Sequence, residues 1–137
     1  MTPARREAVN LRLTLQPAQL AVCRLPADAD FPGWARSTGL LALVRTADEL
    51  SVVCEERDVP LGTIIERGWR AFQVEGPLDF ALTGILASIA APLAEAGVAI
   101  FAISTFGTDY VLVKENDLPI ALLALSQAGH QVSERSA

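Results

Sequence analysis

Histidine, lysine and cysteine are scarce in this sequence of 137 residues. His130 is the single histidine and Lys114 the single lysine. A histidine metal cluster is therefore excluded, and any His-based triad would have to use His130. Cys23 and Cys54 are the only cysteines, with no CxxC spacing, and read as reduced, buried, small apolar residues rather than a redox or zinc pair. GxSxG, HExxH, P-loop and GxGxxG motifs are all missing. No stretch approaches the roughly 18 consecutive apolar residues of a membrane span, since the longest candidate, residues 84–94, is interrupted by Ser88 and Pro92. Arg5 and Arg6 are not followed by an apolar run, so no signal peptide is expected and the chain reads as cytoplasmic. The net charge is −5 and the cations are scattered. Neither nucleic acid nor a membrane surface is an expected partner.

What is present is apolar. Hydrophobic residues make up 51% and charged residues 20%, as in a compact globular protein. Alternation at residues 11–15 and apolar runs at 20–25, 40–44 and 50–54 predict strands, the last two forming a hairpin around residues 46–49. A helical turn is expected around Trp34, within residues 31–37, and residues 55–68 read as irregular. Residues 69–74 predict a further strand. Leu82, Ile85, Leu86, Ile89 and Leu93 mark one face of a helix. Asp79 or Thr83 would cap that helix, Pro92 would kink it or shorten its last turn, and Gly97 would end it. Strands at 98–103 and 110–113 form a second hairpin around residues 104–109. A second helix is capped by Asn116 or Asp117 and runs to Gly129, and residues 130–132 make a last strand.

The fold class is thus α+β. The C-terminal half reads β-α-β-β-α-β, a ferredoxin-like plait with an antiparallel sheet and both helices on one face. A shift of 59 residues lays residues 41–54 over 100–113, and Thr46 over Thr105. This is a weak internal repeat, and it divides the chain into modules at 10–66 and 67–134.

Polar residues concentrate in two places. The clusters Asp48-Glu49 and Glu55-Glu56 read as a solvated turn and a charged loop. Arg45 reads either as a partner for Asp48 or Glu49 or as a clamp for an anionic ligand, and Trp34 and Trp69 read as core anchors. The second concentration is Ser104-Thr105-Phe106-Gly107-Thr108-Asp109, three hydroxyls, a carboxylate and an aromatic ring between two apolar strands. It reads as an ordinary hairpin turn or as a polar rim for a small zwitterion. Facing it in this topology is the strand–helix junction before Gly84, where free backbone N–H groups suit a carboxylate.

Trp69-Arg70-Ala71-Phe72, Glu75-Gly76-Pro77-Leu78-Asp79-Phe80, Thr83-Gly84-Ile85-Leu86-Ala87-Ser88, Pro92-Leu93-Ala94-Glu95-Ala96-Gly97 and Ile103-Ser104-Thr105-Phe106-Gly107-Thr108-Asp109-Tyr110 follow one another in a specific order. Together they resemble the small bacterial tandem ACT-domain proteins, similar to the ACT modules of CASTOR-type arginine sensors and, more distantly, of aspartate kinases. The resemblance covers residues 69–132 in detail, and the N-terminal half matches in outline as a degenerate first module. It implies a non-catalytic regulatory protein with no cofactor, binding a free amino acid at an interface between modules and forming a homodimer. The alternative is an interaction or dimerisation module with a vestigial pocket and an unidentified protein partner. The implied ligand-binding residues are Gly84, Ile85, Ser104, Thr105, Phe106 and Asp109. Leu82 stands where the arginine sensors carry an acidic residue, and Asp79 lies three positions further back. A guanidinium would lose that charge partner, so a small or apolar amino acid fits at least as well as arginine.

Overall fold

The computed structural model describes residues 9–76 and 83–135. Its elements are β1 (Arg12–Leu15), β2 (Leu20–Leu25), β3 (Ala42–Arg45), β4 (Leu50–Glu55), β5 (Ile64–Val74), α1 (Ile85–Glu95), β6 (Ile100–Ser104), β7 (Asp109–Lys114), α2 (Leu118–Gln127) and β8 (Gln131–Glu134). All eight strands join one sheet. The order of elements from β5 to β8 is the β-α-β-β-α-β read from the sequence.

The spine is β5, which at 11 residues begins five positions before the expected Trp69. One of its edges takes β2 beside Ile64 to Trp69 and then β1 beside Phe72 to Val74; the other takes β7. The extension hid in the sequence because Glu66, Arg67 and Gly68 interrupt the apolar pattern. They sit at a register shift between β2 and β5, where polar residues and a glycine are tolerated. Strand β1 is inserted between β5 and β8, pairing parallel with β8 through Leu13 and Val132. All other strand pairs are antiparallel.

Alternation along the strands builds two cores on opposite faces. Leu13, Leu15, Phe72, Val74, Val111 and Val113 meet Ile89 and Leu93 of α1 and Ala121 and Leu125 of α2. Both helices thus cover one face of the sheet. On the other face Trp69, Ala71 and Leu112 meet Leu20, Leu40 and Val53 from the N-terminal half. Lys114 stacks 4.7 Å over the Trp69 ring, so Trp69 is the core anchor its size suggested. No α-helix occurs between residues 9 and 63 among the described residues. The helical turn expected around Trp34 is only a turn, because Pro32 and Gly33 interrupt any helical run. Trp34 and Ala35 instead cover a third cluster containing Cys23 and Cys54.

Both helices end in a Schellman motif. The Gly97 and Val98 N–H groups donate to the Ala94 and Leu93 carbonyls, and those of Gly129 and His130 to Ser126 and Leu125. Gly84, not Asp79 or Thr83, occupies the cap position of α1, and Asp79 lies outside the described residues. Asp117 precedes α2 as expected but makes no side-chain cap bond.

Pro92 sits inside α1 and offers no N–H to the carbonyl four residues earlier, that of Ser88. His130 supplies the missing donor. Its Nδ1 accepts from the Leu11 N–H at 3.1 Å, which leaves the proton of the neutral ring on Nε2. Nε2 then donates to the Ser88 carbonyl at 2.8 Å. One imidazole, 5% exposed, ties α1 to the segment that enters β1.

His130→Ala should destabilise the fold by about 2–4 kcal/mol in urea denaturation, because two buried backbone groups lose their partner. Adding Pro92→Ala should recover part of that loss, since an alanine in the proline's place brings its own N–H to the Ser88 carbonyl. Cys23 and Cys54 are both buried. Desolvation raises both thiols, and the neighbouring Cys23 adds to the effect on Cys54, which is pushed up to about 12 from an ordinary value of 9.0. The folded state therefore holds its thiol protons more tightly than the unfolded chain. This stability is complete below pH 9.0 and is lost as pH rises toward 12. A thiol-labelling assay at pH about 8 should leave both cysteines unmodified until denaturant is added.

Candidate functional site

The β6–β7 hairpin is a repeated device. Phe101 pairs with Leu112, Ala102 with Val111, Ile103 with Tyr110 and Ser104 with Asp109. Ala42 with Val53, Leu43 with Val52, Val44 with Ser51 and Arg45 with Leu50 reproduce this register under the 59-residue shift. The turns agree atom for atom. The Thr105 N–H donates to the Thr108 carbonyl at 2.8 Å and the Thr46 N–H to Glu49 at 2.9 Å. In each turn the threonine hydroxyl also accepts from the N–H three residues on.

The difference lies in the side chains at the strand ends. In β6–β7 the Ser104 hydroxyl donates to Asp109 Oδ1 at 2.6 Å. The equivalent residues of the first hairpin are Arg45 and the buried Leu50. Arg45 donates to the backbone carbonyls of Ala27 and Ala29, and Glu49 pairs with Arg24 rather than with Arg45. Only the second hairpin therefore presents a hydroxyl–carboxylate pair. Phe106 stands at its tip, 85% exposed.

A buried hydroxyl that the motif reading passed over positions this rim. Thr108 Oγ1 donates to the Val74 carbonyl at 2.6 Å, fastening the hairpin turn to the last residue of β5. The chain continues from there toward α1. At the start of α1, Gly84 has φ +79, in the left-handed region, and its carbonyl accepts from the Ser88 N–H at 2.9 Å. Gly84 and Ile85 thus belong to the first helical turn, whose N–H groups lack partners within the helix. The Thr108 bond holds the hairpin that carries Ser104, Thr105, Phe106 and Asp109 against the C-terminal end of β5. Leu82 and Asp79, which bear on arginine selectivity, lie outside the described residues.

The acidic clusters separate into two kinds. Asp48 and Glu49 form the first hairpin turn, as expected. Glu55 is not solvated: it is 9% exposed, and its Oε2 accepts from the Thr38 N–H at 3.0 Å. It closes β4 opposite Leu20, which draws it inward; a charge run alone gave no sign of that. Among the described residues no His, Cys, Asp and Glu group could hold a metal ion. Nor, among the described residues, is any helix long and apolar enough to cross a membrane.

The family model described as ACT domain matches residues 64–127, from the first residue of β5 to the last of α2. This chain carries an ACT domain. A second family model, described as an N-terminal domain, matches residues 18–61. The ACT chain is 35% identical to protein Atu0741 from Agobacterium tumefaciens, whose crystal structure has a TM-score of 0.89 over 95% of this chain and 97% of that one. It is 29% identical over 97 residues to the bovine cytosolic arginine sensor for mTORC1 subunit 1, covering 63% of this chain. The chain spans 30% of that sensor's length. The regulatory subunit of aspartate kinase from Thermus flavus shares the fold at 14% identity, with a TM-score of 0.58 over 89% of this chain and 99% of that one.

Gly84→Ala isolates the backbone at the site. A Cβ there would meet no atom within 4 Å, so the cost is purely that of the positive φ. Equilibrium unfolding should show a loss of about 1–2 kcal/mol.

Proposed function

We propose that this chain is a non-catalytic regulatory protein that senses a free amino acid at an interface between ACT modules. The observation that carries the proposal is the Ser104–Asp109 hydroxyl–carboxylate pair, which the second hairpin has and the first lacks. The first turn of α1 offers backbone N–H groups at Gly84 and Ile85, and the Ser104–Asp109 pair offers a carboxylate. The N–H groups take the α-carboxylate, aided by the positive end of the helix dipole. Asp109 and backbone carbonyls near Ser104 take the α-ammonium, Thr105 adds a hydroxyl, and Phe106 closes over the ligand. No nucleophile, metal or cofactor enters this scheme.

The N-terminal module, 10–66, is a degenerate partner to the module at 67–134. Arg45 and Leu50 at the positions of Ser104 and Asp109 support this, because neither side chain offers an acceptor for an ammonium. Two chains associate as a homodimer in the cytoplasm. Binding favours one arrangement of modules, and the population shifts by no more than the ligand's differential affinity. A second reading, an interaction module with a vestigial pocket, is favoured by Ile120 and Leu123 of α2, which are 51% and 60% exposed.

The test is a thermal-shift screen against the twenty amino acids. A ligand at about one hundred times its Kd adds about 2.7 kcal/mol, or on the order of several degrees for a chain of this size. A selective shift supports the sensor, and Asp109→Ala should then weaken binding by about 1–3 kcal/mol. A flat screen with folded, ligand-free protein favours the interaction module.

A further inference from the structure

Strands β1 and β2 follow one another along the same edge of β5, and a cavity of about 370 Å³ opens in the fork between them. Such a volume lies at the lower end of small-molecule sites. Its polar lining comes from both sides of the fork: Gln16 after β1, Thr38 and Gly39 before β3, Glu55 at the end of β4, and Arg135 just after β8. None of these residues belongs to the site proposed above.

Two features mark the cavity as more than a surface crease. Gln16 is 5% exposed and Glu55 9%, so two of the few buried polar side chains line it. Burying a carboxylate is costly unless its oxygens are paired. Glu55 Oε2 has the Thr38 N–H, but among the described residues Oε1 has only Arg57 Nη2 at 3.5 Å, from a side chain that is itself 76% exposed. A second acceptor stands nearby in Gln16 Oε1. The Gln16 amide is held by its Nε2, which donates to Gln73 Oε1 at 3.2 Å. Its Oε1 lies so close to Gly39 that a Cβ there would come within 2.8 Å of it. Across the fork, the Arg135 backbone N–H donates to the Leu15 carbonyl at 3.0 Å. Its guanidinium makes no ion pair among the described residues.

We infer that this cavity is a second binding site, for a small zwitterion carrying an ammonium and a carboxylate. Glu55 Oε1 and Gln16 Oε1 accept from the ammonium, and the Arg135 guanidinium takes the carboxylate, bidentately where the approach allows. Thr38 lines the rim. The free amino acids are the simplest molecules of this class. The inference stands whether or not the Gly84–Asp109 site binds anything.

The test is an amide NMR titration of the ¹⁵N-labelled full chain with each of the twenty amino acids. Saturable shifts of the Thr38 and Gly39 amides are expected for at least one of them. Arg135→Ala, a change at an exposed position, should weaken that titration roughly tenfold or more, as loss of a charged hydrogen-bond partner does. Glu55→Gln keeps the shape and should weaken it too, while Asp109→Ala should leave it within about twofold. Still Thr38 and Gly39 amides with all twenty, or shifts that Arg135→Ala leaves unchanged, would overturn the second site. Shifts confined to Gly84, Ile85 and Asp109 would overturn it while supporting the first. Shifts at Thr38 and Gly39 with none at Gly84 would do the reverse.

Discussion

The imidazole of His130 ties helix α1 to the place where β1 and β8 begin to pair, a link that no strand pairing supplies. Pro92 removes a donor from α1 and leaves the Ser88 carbonyl to be satisfied from outside the helix. His130 satisfies it, and accepts from Leu11 at the entrance to β1 with its other nitrogen. A flexible amide could make the same two bonds, but a rigid ring fixes their directions as well. Helix α1 is therefore set against the sheet by a polar strut as well as by Ile89 and Leu93. The first turn of α1, with Gly84 and Ile85, inherits its position from this arrangement. The same helix turn is internally tied by the Ser88 hydroxyl, which donates to the Ile85 carbonyl at 2.7 Å.

The two hairpins carry one backbone design with two surfaces. Identical register and identical threonine turns show that hydrogen bonding specifies the geometry, while the residues at the strand ends are free to differ. In the N-terminal copy those positions hold an arginine that braces the segment around Ala27 and Ala29 and a leucine that enters the core. In the C-terminal copy they hold a serine and an aspartate facing one another. One copy contributes packing and the other retains polar chemistry.

Much of this was legible in the sequence, and the reasons are local. Strand β2 and the two hairpins announce themselves through apolar runs bounded by turn residues, and α1 through the spacing of Ile85, Ile89 and Leu93. The 59-residue shift held to the residue because the repeat lies in hairpins, where turn chemistry pins the register. What stayed hidden depends on distant partners. The extension of β5 is masked by polar residues at its bulge, and the insertion of β1 beside β8 leaves no local trace. Glu55 looked like one more residue in a charged run, because burial at a strand end is set by the strand opposite. Thr108 passed as a turn residue, although its hydroxyl reaches across to Val74. The single histidine could be excluded from a metal cluster by counting, but its role as a strut required knowing which carbonyl Pro92 would leave without a donor.

The placement of β1 has a further consequence. Among the described residues, strand β8 joins the sheet only through β1, and β1 joins it only through β5 and β8. The edge at β8 is thus completed by segments more than a hundred positions apart in sequence, across which a long loop must close before any pairing is gained. Folding of this sheet is governed by topology rather than by local propensity, and a slow, late closure is the natural outcome of such distant pairing. The C-terminal flank, with its two well-formed helices, cannot mature on its own residues: its sheet has a gap the width of one strand, and the N-terminal segment is the piece that fills it.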